Sequence, residues 1–480
     1  MKSIKHIVIL SAVLVTGCTV GPNYKPPQVR VPDRFSEPAA TQPTTLATTQ
    51  PVASPAAWWT TFGDETLNRL IDEARRSNLD LRTAEARVRE ARAARGIVTA
   101  DYWPDVDAAG SYSRSRTSKN TTFGSFGPRE TDLWQAGFDA AWEVDVFGGV
   151  RRSVQAATAD IQAAVADRND VLLSLLGEVA RNYVELRGFQ RQIAIAEFNV
   201  KSQQDTLELT RVRLNAGLGT DLAVAQTEAQ VAATQSQIPA FQTLAQQSIH
   251  RLSVLLGRPP GALMADLEPI KAVPTPPAEI PAGVPSELLR RRPDIRRAER
   301  QLAAATARIG VATADLFPHF TLTGSLGVEA TQFKGLGNSD SIFWSVGPGV
   351  RFPIFNRGRL KSAVAVENAR TEQALAQYEQ TVLRSLEEVE NAMVAYRKEF
   401  VRRASLARAV ASSQRSVQLS QQLYQRGLTD FLNVLDAQRA LYQNEDLLVQ
   451  SESNVSANAV ALFKALGGGW DVDQQVAARQ

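Results

Sequence analysis

Apolar residues along this chain change period several times, and each change marks an element. From Asp64, Leu67, Leu70, Ile71 and Ala74 share one helical face. Leu81, Ala84, Val88 and Ala91 continue at three- and four-residue spacing, a narrow seam of the coiled-coil kind. The pattern predicts one helix over Asp64–Ala100, ended ahead of Pro104. The period then falls to two. Val106, Ala108, Gly110 and Tyr112 alternate with Asp107, Ala109, Ser111 and Ser113, and a polar loop is expected over Arg114–Asp132. A second strand sets Trp134, Ala136, Phe138, Ala140, Trp142, Val144 and Val146 against Leu133, Gln135, Gly137, Asp139, Ala141, Glu143 and Asp145. An apolar face with Trp at both ends and carboxylates opposite suits a barrel strand between lipid and a wet lumen. A sheet packed on a soluble core is the alternative, and it would have to bury those acids.

From 129 to 238 the chain has no proline, so Gly149–Arg213 reads as one helix of about 65 residues, roughly 95 Å long, column-like rather than globular. Gly217 stops it, Asp221–Leu256 returns over about half that length, and Pro239 is expected to kink or interrupt the return. Residues 258–286 carry eight prolines and predict an irregular crossing. The whole series then recurs. Asp294-Ile-Arg-Arg-Ala-Glu matches Asp80-Leu-Arg-Thr-Ala-Glu at an offset of 214, which holds through Gly96/Gly310, Pro104/Pro318 and Gly110/Gly324. A third strand sets Phe320, Leu322, Leu326 and Val328 against Thr321, Thr323, Ser325 and Glu329. After a loop near Ala330–Ser341, a fourth places Ile342, Trp344, Val346 and Val350 on one face. Phe147–Arg151 aligns with Phe355–Arg359, a second long helix runs from about Gly358 to Gln425, and Asp430–Leu466 returns after Gly427. At this second turn the offset is 210: Gly217, Leu218, Leu222 and Val224 match Gly427, Leu428, Leu432 and Val434. Thr429 or Asp430 is expected to cap the return helix. Each half thus supplies helical columns with strands at one end and a Gly turn at the other. Four strands cannot close a barrel, because the smallest spanning barrels have about eight, so copies must associate.

Composition narrows the class. The chain has 480 residues, 44% hydrophobic and 21% charged, which excludes disorder on composition. The formal charge of +3 falls to about +1 without Lys2 and Lys5 and gives no argument for nucleic acid. Those lysines precede the apolar run Ile7–Val15, too short to span a bilayer, and the pair reads as an export signal. Residues 19–57, with seven prolines from Pro26 to Pro55, predict an extended tether. No later window offers about 18 uninterrupted apolar residues, so spanning helices are not expected, whereas barrel strands remain open.

Val15-Thr16-Gly17-Cys18 resembles a bacterial lipobox, which implies cleavage before Cys18 and its acylation; a plain secretory signal is the alternative. Thr19 in place of an Asp implies sorting to the outer membrane. Together with Trp58-Trp-x-x-Phe62, Asn78-Leu-Asp-Leu, Arg292-Pro-Asp-Ile, the two tip turns and Ala465-Leu-Gly-Gly-Gly-Trp470, the order of motifs resembles the outer membrane factor family, TolC/OprM-type, NodT branch, over nearly the whole mature chain. The resemblance implies an α+β, internally duplicated fold: long helical hairpins form a periplasmic α-barrel tunnel, and four strands per chain build a trimeric 12-stranded transmembrane β-barrel. It implies a lipoprotein signal over 1–17, a lipidated tether over 18–63, repeats over 64–286 and 287–469, and a tail over 470–480. The implied partners are two further copies, a periplasmic adaptor, an inner-membrane pump and outer membrane lipid. The implied work is passive efflux of drugs or small solutes. A duct for ABC-type protein secretion and a structural envelope lipoprotein are the competing readings.

No catalytic constellation is visible: His6, His250 and His319 lie far apart, Cys18 is the only cysteine, and no phosphate-binding loop or zinc motif occurs, so neither enzyme nor cofactor is expected. Function is expected at the turns instead. By the family pattern Gly217, Leu218, Thr220, Gly427, Leu428 and Thr429 contact the adaptor, although the glycines also serve as plain left-handed caps. Leu432, Asp436 and Arg439 share one face at i, i+4, i+7 and occupy the positions of the family's periplasmic gate. Around a three-fold axis the Asp436 carboxylates repel unless paired, and Arg439 is the candidate partner; a solvated surface pair is the alternative. The first tip has Gln226 where the second has Asp436, which assigns gating to the second tip and adaptor contact alone to the first.

Overall fold

The computed structural model describes residues 19–36, 55–118, 120, 129–281 and 283–470. The signal, Cys18, residues 37–54 of the tether, the tip of the first strand loop and residues 471–480 of the tail lie outside these. The described elements in chain order are α1 (Glu65–Ser77), α2 (Leu79–Ala100), β1 (Asp105–Arg116), β2 (Glu130–Val144), α3 (Gly149–Asn215) and α4 (Asp221–Leu255). They continue with α5 (Pro285–Arg291), α6 (Pro293–Ala314), β3 (His319–Ala330), β4 (Ile342–Arg351), α7 (Arg359–Gln425) and α8 (Phe431–Ala465). The duplication is carried into the fold. α2 and β1 recur as α6 and β3 after 214 residues, and α3 and α4 as α7 and α8 after 210.

The chain divides into two compact units, each drawing on both repeats. One comprises the described parts of 1–28, 87–165 and 297–379 and holds all four strands. They form an antiparallel meander, β1-β2-β3-β4, with both edges unpaired among the described residues. Register places Tyr112 opposite Trp134, Phe138 opposite Leu326 and Leu326 opposite Trp344, so one face is apolar across all four strands. The other carries Asp107 opposite Asp139, Gln135 opposite Glu329 and Ser325 opposite Ser345. The period-two reading therefore assigned the faces correctly. Phe138, Leu326, Trp344 and Val346 are exposed, so nothing among the described residues covers the apolar face. With 10 to 15 residues each, the strands match or exceed the about 9–11 needed to span a bilayer.

Three expectations are corrected here. The loop does not begin at Arg114: the ladder runs on through Arg114–Asp132 and Arg116–Glu130 pairs, held by an Arg114 Nη2–Glu130 Oε2 contact of 2.8 Å. β2 stops at Val144, so Val146 is not in it, and Asp145 is not a strand carboxylate in water. Its two oxygens instead accept from the backbone N–H groups of Val150 and Arg151, at 3.1 and 3.0 Å, on the first turn of α3. Finally, Gly148 and Gly358, with φ of 80° and 83°, immediately precede α3 and α7, so the repeats align at 210 here and Phe147 corresponds to Arg357, not to Phe355. On the polar face Gly137 and Gly327 sit opposite each other so closely that a Cβ on Gly327 would lie 2.6 Å from the Ala136 carbonyl oxygen and 2.9 Å from the Phe343 ring.

The tether begins pinned to this same unit. Arg152 is buried and donates to the carbonyls of Val20 (2.9 Å) and Gly21 (3.1 Å) and to Asn23 Oδ1 (2.9 Å). Val20 N donates to the Phe147 carbonyl at 3.1 Å, and the Tyr24 hydroxyl bonds Glu299.

The second unit comprises the described parts of 29–86, 166–296 and 380–480 and contains both helix turns. Trp58 stacks on Phe463 at 5.2 Å, and Leu67, Leu70, Ile71 and Ala74 of α1 are buried, as their spacing predicts. The helix expected over Asp64–Ala100 is broken. Asn78 takes extended backbone angles, ends α1 and caps α2 through its Oδ1, which accepts from Leu81 N. Its amide donates to the Leu255 carbonyl at the end of α4. Arg292, its equivalent, breaks α5 from α6 and donates to the Ala465 carbonyl at the end of α8. Pro239 does not interrupt α4, which runs through it. The crossing segment, irregular apart from the single turn Met264–Leu267 and α5, is held by fully buried Arg187, which donates to the carbonyls of Leu267 (3.2 Å) and Pro269 (2.8 Å).

Candidate channel tip

Both turns close as the same motif. After α3, Leu218 N donates to the Arg213 carbonyl (2.8 Å) and Gly217 N to that of Leu214 (2.9 Å); after α7, Leu428 N and Gly427 N reach Leu423 (2.9 Å) and Tyr424 (3.0 Å). This six-to-one and five-to-two pairing requires a left-handed residue, and the φ angles of Gly217 and Gly427 are 75° and 74°. No neighbour lies within 4 Å of a Cβ built on either glycine, so backbone angle alone selects it. The residue after each glycine is pushed outward: Leu218 is 67% and Leu428 68% exposed. The threonines are not equivalent. Thr220 caps α4, its hydroxyl accepting from Ala223 N, whereas Asp430 occupies that position before α8 and Thr429 accepts from the Asn433 side chain at 2.8 Å.

Under the turns, Ala223, Tyr424, Phe431, Val434 and Leu435 form one buried cluster with Leu209 against it. Arg213 joins the two turns. Its guanidinium lies 4.6 Å over the Tyr424 ring, donates to the Tyr424 carbonyl at 2.9 Å and reaches the Leu218 carbonyl at 3.4 Å.

α8 leaves this cluster along a polar seam. Toward α3, Gln438 donates to Thr206 Oγ1 at 2.9 Å, and Asn199 and Gln192 of α3 donate to Glu445 (2.9 Å) and Asp446 (2.6 Å). Toward α4, Arg439 Nε donates to Gln230 Oε1 at 2.7 Å and the Tyr442 hydroxyl to Gln237 Oε1 at 2.8 Å. Burial, and secondarily the Asp446 charge, push the Tyr442 phenol up to about 12. Leu432, Asp436 and Arg439 do share an exposed face. Arg439, however, is turned to Gln230, and Asp436 has no partner within the described residues. Sequence reading missed Gln230, Gln237, Thr206 and Arg213. Glutamines on a long helix read as solvated, and the spacing of Gln230 and Gln237 does not match that of Arg439 and Tyr442, so no pattern in the sequence pairs them.

A lipid-length, one-sided sheet with both edges unpaired among the described residues, joined in one chain to long helices with apolar turns, defines a membrane channel subunit rather than a globular binding protein. The chain belongs to the outer membrane efflux protein family, whose profile matches residues 70–258 and 284–468, one segment in each repeat. It is 36% identical over 420 residues to the pyoverdine export outer membrane protein OpmQ of Pseudomonas putida, covering 87% of this chain and 88% of that protein. It is 30% identical over 472 residues to the cation efflux system protein CusC of Escherichia coli K12, covering 98% and 100%. The outer-membrane channel OprN has the same fold, with a TM-score of 0.86, 38% identity, and coverage of 94% of this chain and 100% of that one. The chain is an outer membrane efflux channel.

Proposed function

We propose that three copies form the exit duct of a tripartite efflux system, conducting small solutes passively outward from an inner-membrane pump through a periplasmic adaptor. The observation that carries this reading is the four-stranded sheet, apolar on one face, polar on the other and unpaired at both edges among the described residues: three copies supply twelve strands, enough to enclose a wet lumen. The repeats over 64–286 and 287–469 then each contribute to both compact units, and acylation of Cys18 anchors the chain two residues ahead of Val20, whose carbonyl accepts from Arg152. Small solutes are favoured over secreted proteins because the matched relatives are named for pyoverdine export and cation efflux.

The second tip is the gate and Leu218 and Leu428 are the adaptor contacts. Three Asp436 carboxylates converging without intrachain partners repel, so the closed end depends on the bonds that hold α8 to α4 and α3. In planar bilayers Leu432→Ala is expected to raise open probability by thinning the apolar ring, and Asp436→Ala to lower it by removing the repulsion; an intact oligomer unchanged in both variants removes the gate assignment. Metabolic labelling with palmitate is expected to mark the wild type and not Cys18→Ala. Continued labelling of the variant sinks the anchor.

A further inference from the structure

The lipid-facing side of the first strand pair changes character at its outer end. Along β1 that face runs Val106, Ala108, Gly110 and Tyr112, and it finishes in Arg114 and Arg116. Their partners across the ladder are Asp132 and Glu130, which share the pleat of Trp134 and Phe138. On the lumen-facing pleat at the same level, Ser113 pairs with Leu133 and Ser115 with Thr131, and none of these is charged. A strand end standing only in water gives its charges no reason to gather on one side. Here all four lie on the side that meets lipid lower down. The helices of this family extend into the periplasm, so this end of the sheet, remote from α2 and α3, is the extracellular one.

We infer that Arg114 and Arg116, with Lys334, form a headgroup site for a phosphate-bearing lipid of the outer leaflet. It uses only the outer membrane placement and holds whichever solute the duct carries. Three observations carry it. The first is position. The Tyr112 ring lies 4.3 Å from Trp134, and Trp134 lies 5.1 Å from Phe333, an aromatic belt of the kind that marks the boundary between hydrocarbon and headgroups. Arg114 is the next outward-facing residue beyond that belt, and Lys334 follows Phe333 directly. A lipid whose chains cover Phe138 and Leu326 therefore sets its phosphate at the level of these cations.

The second is the supply of donors. Arg114 Nη2 donates to Glu130 at 2.8 Å, and the Tyr112 hydroxyl donates to Asp132 at 2.9 Å. Arg114 Nε is 3.7 Å from Asp132, and Arg116 Nη1 is 3.7 Å from Glu130, both beyond hydrogen bonding. The carboxylates thus orient the two guanidiniums while leaving most of their N–H groups without a partner among the described residues. Both side chains are more than half exposed. Lys334 is exposed and likewise unpartnered among the described residues, so the cations outnumber the acids. A free guanidinium edge matches the oxygens of a phosphate in pairs. The third is the contrast with the other strand pair. There the outward face reaches the same end of the sheet with Val328, Ala330 and Ile342, none charged, so each copy carries one such site.

Thermal unfolding of the detergent-solubilised oligomer tests this, with diphosphorylated lipid A as the probe. The wild-type midpoint is expected to rise with lipid A, to rise less with its monophosphorylated form, and to stay level with diacylglycerol or inorganic phosphate. Arg114→Gln/Arg116→Gln/Lys334→Gln is expected to raise the half-saturating lipid A concentration by about tenfold or more, the loss of at least one charge-assisted bond to phosphate. Ser115→Gln, on the lumen-facing pleat, is expected to leave it unchanged. An equal rise with diacylglycerol, or an unchanged half-saturation in the triple variant, overturns the site. An equal rise with inorganic phosphate assigns the cations to a free anion and overturns the lipid. Native mass spectrometry gives a reading that does not depend on the variant's own stability: fewer bound lipid A molecules per oligomer are expected in the triple variant, and retention of the wild-type number overturns the inference.

Discussion

Arg439→Ala isolates the latch between the second hairpin and the first. In the wild type, Arg439 Nε lies 2.7 Å from Gln230 Oε1, joining α8 to α4 two turns beyond the α8 cap. A hydrogen bond to a charged group contributes about 1.5–3 kcal/mol when protected from water. Arg439 is exposed, so solvent competes and about 1 kcal/mol per copy is the appropriate figure. Removing Arg439 leaves Gln230 to water, which adds no buried unsatisfied group. If three copies open together, the closed state loses about 3 kcal/mol, a shift of roughly 100-fold in the open-to-closed ratio. Planar bilayer recording of the purified oligomer reads this directly as open probability. Arg439→Lys is expected to fall between wild type and Ala, because a lysine keeps the charge but not the planar donor edge. An Arg439→Ala oligomer of normal mass whose open probability changes less than about threefold would refute the latch, since that corresponds to under about 0.7 kcal/mol for the whole ring.

Alkaline pH acts on the neighbouring bond. The Tyr442 phenol is raised from 10 to about 12, so its contribution is complete below pH 10 and is lost as pH rises through 12; channel opening is expected in that window and is flattened in Tyr442→Phe, read as open probability against pH. Arg292→Ala removes a buried guanidinium from Asp294, Glu388 and the Ala465 carbonyl, and is expected to cost about 3–5 kcal/mol, read as a loss of oligomer heat stability far larger than for exposed Arg426→Ala. Leu218→Asp with Leu428→Asp is expected to abolish capture of the cognate adaptor while leaving oligomer mass and conductance unchanged; retained capture would move the contact away from the tips.

The faces of the four strands, the duplication and the two glycine stops were legible in the chain because each is a local rule. Side chains alternate across a pleated strand whatever surrounds it, and the Gly217 and Gly427 turns need a positive φ that no neighbour imposes. The helix breaks were not legible. Asn78 and Arg292 perform one task at equivalent positions, donating to the last carbonyls of α4 and α8, yet share no chemistry a pattern search would equate. The partners lie 177 and 173 residues away, and only folding brings them within reach. The tip divides in the same way. Spacing put Leu432, Asp436 and Arg439 on one face, because a helix has a fixed pitch. That Arg439 turns to Gln230 rather than Asp436 was decided by packing α8 against α4, a contact 209 residues apart that periodicity within one helix cannot encode.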